Sequence, residues 1–364
     1  MSRIRETAAS LPRVFGYFLL ATIATAWLVV AVGGPASSSP IQDHLDSLIE
    51  QDKAPALFTA AVGKTGITRM AAAGVRQRGW GQEVTTKDIL RINSNTKAMT
   101  AAMVATLVED GVLPKGWQTT VQEVFPGLHE SYHNVTLREL LSMRSGIRKS
   151  ARNWNRYGSR QEVVMHQFSG APKVTRGEFH YSNLSFIMAA AMAEKLTGKS
   201  WETLMQERIF DPLGMASAGF GEPSERASGQ PWGHIHDRDR VWVGEERPLP
   251  AVMGPAGTVS LTMEDWAKFI VLWFDDVEPK ILSREVLTEL TTDMRYAAGW
   301  HVRPRGTRSK RLSHGGNSRT WRSRLVVYPS GNTAYLAVAT GRDRDRPRTW
   351  KMLGGIIRVV RKVR

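Results

Sequence analysis

The stretch ILRINSNTKAMTA, residues 89–101, is the part of the chain that says most about its fold. An apolar, strand-like segment ends at Asn93, and the spacing of apolar residues from 95 to 110 predicts a helix. Ser94 therefore lies where a strand gives way to a helix N-terminus, with Lys97 on the same side of the first turn. A hydroxyl, an amine and free backbone N–H groups in one place are what a serine acyl-transfer enzyme needs.

The elements around this stretch predict a sheet built from both ends of the chain. Runs typical of strands lie before residue 75 and after residue 310, while residues 95–262 read mostly as helices separated by Gly- and Pro-containing loops. We therefore expect an α/β fold of the α+β type, with one antiparallel sheet flanked by terminal helices and an inserted helical subdomain over roughly residues 95–262. The cleft between sheet and subdomain is the natural site. The predicted strands are residues 57–64, 67–73, a segment near Leu312, 324–328 and 333–340, and the clearest predicted helices are 41–51, 183–197, 265–273 and 346–362.

The composition excludes several kinds of chemistry. Among 364 residues, 42% are hydrophobic, which is enough for a substantial core, and none is cysteine. Disulfides, thiolate nucleophiles and Cys-based zinc sites are therefore excluded. The absence of cysteine also fits a compartment outside the cytoplasm.

Residues 1–40 are predicted to be a targeting element that precedes a domain of residues 41–364. Three arginines come before an uncharged stretch at residues 14–32, which as a helix would span ~28 Å, close to a bilayer core. A Ser- and Pro-containing linker follows it. The segment is either a cleaved signal peptide or a membrane anchor, and both readings place the domain outside the cytoplasm. We expect a periplasmic protein that is either secreted or anchored in the inner membrane.

Positive charge is concentrated at the C-terminal end. The chain carries a formal net charge of +15, and residues 295–364 hold 18 Lys and Arg against two acids. This region is a candidate surface for an anionic membrane or cell-wall polymer. The alternative is a solvated arginine-rich face without a partner. No nucleic-acid-binding module accompanies the charge, so a nucleic-acid partner is not expected.

Two further elements supply polar groups suited to the same chemistry. Tyr181 and Asn183 open a predicted helix, offering a phenol and an amide from one turn. The segment HGG, residues 314–316, follows the predicted strand near Leu312, and its small residues let a substrate backbone approach closely. The only Ser-x-x-Lys pair of the chain precedes both elements.

In these motifs and their order the chain resembles the serine β-lactamase and penicillin-binding protein superfamily. The likeness is greatest to class C β-lactamases and the related esterases and D-amino-acid peptidases, and it covers roughly residues 41–340. It implies the fold expected above and a serine hydrolase that needs neither a cofactor nor a metal. The stretches that carry it are residues 91–97 (RINSNTK), 140–146 (LLSMRSG), 180–184 (HYSNL), 209–215 (IFDPLGM), 230–234 (QPWGH) and 254–257 (GPAG).

The resemblance implies a role for each candidate residue. Ser94 attacks a carbonyl carbon and forms an acyl-enzyme, while Lys97 or Tyr181 takes the serine proton. Lys97 can act as a base only when neutral, a form that burial favours. Asn183 orients Lys97 and donates to the substrate amide. The oxyanion lies between the backbone N–H groups of Ser94 and Asn317.

Departures from the family pattern leave the substrate open. His314 stands where true β-lactamases have lysine, Gly315 lacks the hydroxyl that helps to hold a substrate carboxylate there, and Gly316 lets the substrate approach. Such a site is similar to those of the esterases and peptidases at least as much as to those of the antibiotic hydrolases. Arg319 and Arg322 are candidate partners for a substrate carboxylate. An ester, a D-amino-acid amide or peptide, and a β-lactam all remain candidate substrates.

Two other stretches match these motifs in sequence, and three other kinds of protein are alternative interpretations of the chain. Residues 64–66 (KTG) and 132–134 (YHN) match family motifs literally, but the first reads as a hairpin turn and the second as a loop before a helix. A metal hydrolase could use residues 234–239 (HIHDRD), although further ligands at a convincing spacing are missing. An α/β-hydrolase lacks its Gly-x-Ser-x-Gly motif. A non-catalytic, membrane-anchored cell-wall or penicillin-binding protein with the same fold is the main alternative.

Overall fold

The protein is described by a computed structural model over residues 39–151, 153–172, 174–237, 241–292, 296–303, 310–341 and 346–363. The predicted targeting segment lies outside the described residues. Within them, no helix is both long and apolar enough to cross a membrane. The strands are β1 (Ala56–Gly63), β2 (Gly66–Gly74), β3 (Leu90–Arg91), β4 (Gly219–Phe220), β5 (His234–His236), β6 (Trp242–Gly244), β7 (Val259–Leu261), β8 (Tyr296–Ala297), β9 (Trp300–Arg303), β10 (Arg311–Asn317), β11 (Trp321–Tyr328) and β12 (Thr333–Thr340). The helices are α1 (Pro40–Glu50), α2 (Thr96–Glu109), α3 (Val121–Val124), α4 (Leu137–Leu141), α5 (Arg160–Gln167), α6 (Asn183–Thr197), α7 (Trp201–Met205), α8 (Pro223–Arg226), α9 (Gly254–Gly257), α10 (Met263–Val271), α11 (Arg284–Glu289) and α12 (Arg346–Lys362).

The main sheet joins the two ends of the chain, as the sequence predicts. In the described part of the chain it has seven antiparallel strands in the order β2-β1-β12-β11-β10-β9-β8. The first strand pairs with the last, with Ala56 opposite Thr340 and Val62 opposite Ala334. The apolar runs of both strands are buried in the middle of the sheet, which explains why they do not alternate with polar residues.

The two faces of the sheet pack against different helices. Helices α1 and α12 cover one face, where Leu45, Leu353 and Ile356 are fully buried. The other face packs on the helices that follow β3, and α2 lies at the centre of that core. Twelve of the fourteen residues of α2 are buried, so this helix is enclosed by the fold on every side.

The region between residues 95 and 262 contains more strand than the sequence predicts. Strands β7 and β4 form one small antiparallel sheet with β3, the strand expected before Asn93, and β5 and β6 form a hairpin. These strands have only two or three residues each, too few for a periodic pattern to show. His234, the last residue of the QPWGH stretch, therefore lies in strand β5. Likewise, β10 continues through Asn317, so His314 and Gly316 lie within the strand rather than after it.

Candidate active site

Ser94 lies in a single 3-10 turn, Asn93–Asn95, between β3 and α2. Asn93 adopts a left-handed backbone conformation with φ of 52°, which Asn tolerates better than most residues. The Asn95 amide donates to the Ile92 carbonyl at 3.1 Å and to Ser323 Oγ at 2.8 Å. These bonds fix the turn against β11 and leave Ser94 half-buried at the edge of a cavity.

Lys97 is fully buried on the first turn of α2, and its amine is directed at Ser94. The Lys97 Nζ lies 3.2 Å from Ser94 Oγ and donates to the Ala256 carbonyl at 2.7 Å. Burial lowers the pKa of Lys97 to about 7, because the enclosed site disfavours the charged form. A large fraction of Lys97 is thus neutral at physiological pH and can accept a proton.

Tyr181 brings the third predicted group to the same place. Its phenol interacts with Ser94, and the Lys97 Nζ lies 5.1 Å from the centre of its ring. Burial raises the pKa of Tyr181 to about 12, with the interaction with Ser94 opposing this effect. The phenol therefore keeps its proton at neutral pH. The serine, lysine and tyrosine singled out from the sequence meet in one crevice.

His314 lies behind these groups and is joined to a tyrosine that sequence reasoning missed. Its Nε2 is 3.2 Å from the Tyr296 hydroxyl, and its ring stacks on that of His301 with 5.6 Å between centres. Burial, and then the nearby Lys97 and His301, hold the pKa of His314 well below its usual range. His314 is therefore neutral at pH 7. Tyr296 belongs to no motif of the sequence, and no spacing signal connects it with position 314.

The two glycines after His314 face opposite sides of the sheet. A Cβ added at Gly316 would lie 2.2 Å from the Ile92 carbonyl oxygen, on the side of the serine turn. One added at Gly315 would lie 2.4 Å from the ring of Trp350 in α12, on the far side. Gly316 is therefore needed for the close approach of β10 to the Ser94 turn. The expectation for Gly315 was wrong, since a side chain there would meet α12 and not the substrate.

A cavity of about 220 Å³ opens beside Ser94. Asn183 and Asn317 line it, so the predicted binding residues lie at the same cleft as the nucleophile. The expected hydrogen bond between Asn183 and Lys97 is not formed. Among the described residues, the hydrogen-bond partners of the Lys97 amine are Ser94 and the Ala256 carbonyl. The remaining lining residues are Asn93, Arg247, Pro248, Leu249, Met253, Ala256, Gly257, Ser318 and Arg319.

Two arginines at this cavity share one carboxylate. Glu245 Oε1 contacts the Nε of Arg247, and the Nε of Arg319 lies 3.3 Å from the same oxygen. The sequence pointed to Arg319 but not to Arg247 or Glu245, which sit in an unremarkable loop. The matching expectation for Arg322 was wrong. Its guanidinium is fully buried and donates to backbone carbonyls, including that of Trp321 at 3.0 Å.

The stretches that imitate the motifs lie elsewhere. Residues 64–66 form the turn between β1 and β2, where Lys64 pairs with Asp276 at 2.9 Å. Tyr132 is buried against Phe168, with 5.1 Å between ring centres. Both placements agree with the reading of these stretches as a hairpin turn and a loop.

The histidines of the rival metal site have other partners. His234 Nε2 accepts a hydrogen bond from the Arg78 N–H at 3.1 Å, and burial lowers the pKa of His234 to about 4. His236 lies against the ring of Trp242. Among the described residues, which leave out 238–240, no group of three or more His, Asp or Glu side chains could hold a metal ion.

Comparison with known proteins identifies relatives along most of the chain. A family model described as Beta-lactamase matches residues 41–353. Penicillin-binding protein 4 of Amycolatopsis lactamdurans is 29% identical over 252 residues, which cover 65% of this chain and 63% of that protein. An unguisins hydrolase of Aspergillus campestris is 32% identical over 209 residues, covering 51% of this chain and 38% of the relative. The matched region is thus less than two thirds of the length of either relative.

Solved structures share the fold. The D-amino acid amidase of Ochrobactrum anthropi SV3 superposes with a TM-score of 0.74 at 22% identity, covering 89% of this chain and 96% of the amidase. The class C β-lactamase of Rhodobacter sphaeroides gives a TM-score of 0.71 at 18% identity, covering 88% of this chain and 99% of the other. These likenesses confirm the architecture expected from the sequence: an antiparallel sheet with flanking helices, as in the β-lactamase and transpeptidase fold.

Proposed function

The chain belongs to the β-lactamase family, and on that premise we propose that it is a serine hydrolase that works through an acyl-enzyme on Ser94. The observation that carries the proposal is the placement of the buried Lys97 amine 3.2 Å from Ser94 Oγ, with the pKa of Lys97 lowered to about 7. A serine hydroxyl is a poor nucleophile at neutral pH, and a neutral amine at this distance can remove its proton.

Acylation follows from this arrangement. Neutral Lys97 takes the proton of Ser94 Oγ as the oxygen forms a bond to the substrate carbonyl carbon. The carbonyl oxygen becomes an oxyanion, which the backbone N–H groups of Ser94 and Asn317 stabilise at the edge of the cavity. One such donor typically contributes about 3 kcal/mol to transition-state stabilisation.

Tyr181 serves as the proton carrier to the leaving group. With a pKa of about 12 it starts as a phenol, so it gives a proton to the departing alkoxide or amine and is reprotonated from Lys97. Collapse of the intermediate breaks the bond between carbonyl carbon and leaving group. Water then attacks the acyl-enzyme, and the ester bond to Ser94 breaks to release the acid.

The substrate is an ester, a D-amino-acid amide or peptide, or a β-lactam. All three present an acyl carbon to a serine nucleophile, and relatives of this chain carry the names amidase, β-lactamase and hydrolase. Neutral His314 offers no cation to a bound substrate, unlike the lysine of true β-lactamases, which favours substrates that do not depend on such a cation.

Intact-mass analysis after treatment with a fluorophosphonate and with a penicillin tests the proposal. We expect a fluorophosphonate adduct on the wild-type chain and none on Ser94→Ala, with Ser142→Ala as a control serine variant. Hydrolysis of a 4-nitrophenyl ester should fall by roughly 10⁴-fold or more in Ser94→Ala. A penicillin adduct that persists for hours, without ester hydrolysis, would instead support the penicillin-binding alternative. Absence of any adduct that depends on Ser94 would overturn the proposal.

We also propose that the protein works outside the cytoplasm. The support is the basic flank and uncharged stretch at residues 14–32, together with the lack of cysteine. Fractionation of expressing cells, with N-terminal sequencing of the mature chain, tests this. A mature chain that begins after residue 32 indicates a cleaved signal, and an intact chain in the membrane fraction indicates an anchor. An intact chain in the cytoplasmic fraction contradicts the proposal.

Helix α12 is the proposed contact for an anionic membrane or cell-wall surface. Its residues Arg348, Lys351, Arg358 and Lys362 are exposed and follow helical spacing along one face, and no acid occurs within Arg346–Lys362. Cosedimentation with phosphatidylglycerol or phosphatidylcholine vesicles, and with teichoic acid, tests it. Replacing Lys351, Arg358 and Lys362 by alanine should weaken binding to phosphatidylglycerol vesicles by more than about tenfold. Equal binding by wild type and triple variant would contradict it.

A further inference from the structure

We infer that the cavity beside Ser94 selects acyl groups that carry a negative charge, and that Arg247 and Arg319 are the residues that select them. The inference rests on the proposed function, since it assigns the substrate class of that same site. Three features of the cavity support it: its position relative to Ser94, the charges at its rim, and the apolar residues in its wall.

The cavity lies on the acyl side of the nucleophile. Tyr181 lies beside Ser94 and Lys97 and is the proposed proton carrier for the leaving group, so the leaving group lies toward Tyr181. The residues that line the cavity include Ser94 and Asn317, whereas Tyr181, Lys97 and His314 are not among them. With the carbonyl oxygen directed at the backbone N–H of Asn317, the remaining substituent of the carbonyl carbon, the acyl group, points into the cavity.

The rim of this cavity has an excess of positive charge. Arg247 and Arg319 both direct their Nε atoms at Glu245, so two guanidinium groups share one carboxylate. Among the described residues, the terminal nitrogens of these two arginines have no hydrogen-bond partner. Both side chains are more than half exposed, at 58% and 54%, and Glu245 is only 17% exposed. The terminal nitrogens are therefore available to a ligand, and carboxylate is the group whose geometry they match.

Buried contacts fix the loop that carries Arg247 and Glu245. The Arg91 side chain, which is 1% exposed, donates to the Arg247 carbonyl at 3.3 Å and pairs with Glu222. The Glu245 N–H donates to the Gly233 carbonyl at 2.8 Å. Arg319 sits in the turn between β10 and β11, where the Ser318 N–H donates to the Trp321 carbonyl at 3.0 Å. Both arginines are thus held beside each other at the rim, on loops that these backbone hydrogen bonds and the buried Arg91 fix in place.

The cavity wall combines apolar side chains with the polar Asn183, Asn317 and Ser318. Pro248, Leu249 and Met253 line it beside Ser94. A ligand that fits this sequence of surfaces has an ester or amide carbonyl at Ser94, a short aliphatic stem and a terminal carboxylate. Dicarboxylic acid monoesters and acyl groups derived from acidic amino acids belong to this class.

Hydrolysis of two matched esters tests the inference. Mono-4-nitrophenyl adipate and 4-nitrophenyl hexanoate have acyl chains of equal length and the same leaving group, and differ in the terminal carboxylate. At pH 8 and low salt, after subtraction of spontaneous hydrolysis, we expect kcat/KM to favour the adipate ester. Arg247→Ala/Arg319→Ala should lower kcat/KM for the adipate ester by about tenfold, mainly through KM, and leave that for the hexanoate ester within about twofold.

A matched control and salt dependence separate this role from a general effect of charge. Arg358→Ala removes one exposed arginine from α12 on the other face of the sheet, and it should leave the ratio of the two kcat/KM values unchanged. Raising the ionic strength should reduce that ratio in the wild type and have little effect in the double variant. The hexanoate ester also reports whether the double variant is folded.

The outcomes distinguish this inference from the proposed function. If wild type hydrolyses the hexanoate ester through Ser94 but shows no preference for the adipate ester, or if the double variant keeps the wild-type ratio, the inference is wrong and the proposed function stands. If neither ester is hydrolysed in a manner that depends on Ser94, the proposed function itself fails.

Discussion

The two sides of the cleft each carry basic side chains, but burial gives them opposite properties. Lys97 is fully enclosed, and the cost of burying its charge lowers its pKa to about 7. Arg247, at the rim of the cavity, is 58% exposed and shares Glu245 with Arg319, so its guanidinium is accessible to an anion. The comparison shows how exposure to solvent separates two roles for basic side chains: the enclosed amine can act as a base, and the exposed guanidinium can bind an anion. The buried side performs proton transfer, and the exposed side recognises an anion.

The largest effect should come from making the buried cation permanent or removing it. Lys97→Arg places a guanidinium that cannot lose its proton beside Ser94, and Lys97→Met fills a similar volume without a base. We expect either change to lower the rate of Ser94 acylation by about 10²–10⁴-fold, measured with a 4-nitrophenyl ester in stopped flow. Lys268→Met, on the outer face of helix α10, is the matched control. If Lys97→Met is acylated at near the wild-type rate, the buried Lys97 is not the base, and the contrast with the exposed arginines fails.

A smaller effect is expected from Tyr181, because it carries a proton that Lys97 has already taken. Tyr181→Phe keeps the ring against Lys97 but removes the hydroxyl. We expect kcat/KM for an alkyl ester to fall by roughly 10–100-fold, and that for a 4-nitrophenyl ester by less, since nitrophenolate needs no proton to depart. Equal losses for both leaving groups would contradict the assignment of Tyr181 to the leaving-group side.

The neighbouring glycines of β10 give a matched pair with similar steric cost. Gly316→Ala and Gly315→Ala should each lower the free energy of unfolding by about 1–3 kcal/mol, measured by urea denaturation. Only Gly316→Ala should also reduce kcat/KM of the folded enzyme, by about tenfold or more, because its methyl group displaces β10 from the Ile92 carbonyl beside Ser94. A comparable loss of activity in Gly315→Ala would show that residues 315 and 316 have been assigned to the wrong faces of β10.

Long elements and the nucleophile could be predicted from the sequence. Helix α6 at Asn183–Thr197, strand β12 at Thr333–Thr340 and helix α12 at Arg346–Lys362 begin and end at the predicted residues. Each has a long apolar pattern, and Gly198 in a left-handed conformation ends α6 as a C-terminal glycine is expected to do. Ser94 and Lys97 could be predicted because a local spacing of three residues determines their proximity.

Contacts between distant residues could not be predicted in this way. Arg91 and the Arg247 carbonyl are 156 residues apart, and nothing in either segment indicates that they touch. The same holds for Tyr296 and His314, and for the Ala256 carbonyl that binds Lys97. The error at Gly315 arose because the strand was expected to end before the HGG segment, and a strand's faces can be assigned only once its extent is known.

The pH dependence of Ser94 modification tests the central claim most directly. Lys97 must be neutral to act as a base, so the modification rate should rise with pH as the Lys97 ammonium loses its proton. The second-order rate constant for fluorophosphonate adduct formation, followed by intact mass from pH 5 to 9, should be half-maximal near pH 7 and rise about tenfold between pH 6 and 8. Lys97→Met should give a slow and flat profile. A wild-type rate that does not change across this range, or one that still rises about tenfold per pH unit up to pH 9, would contradict a buried amine that is neutral near pH 7 as the base.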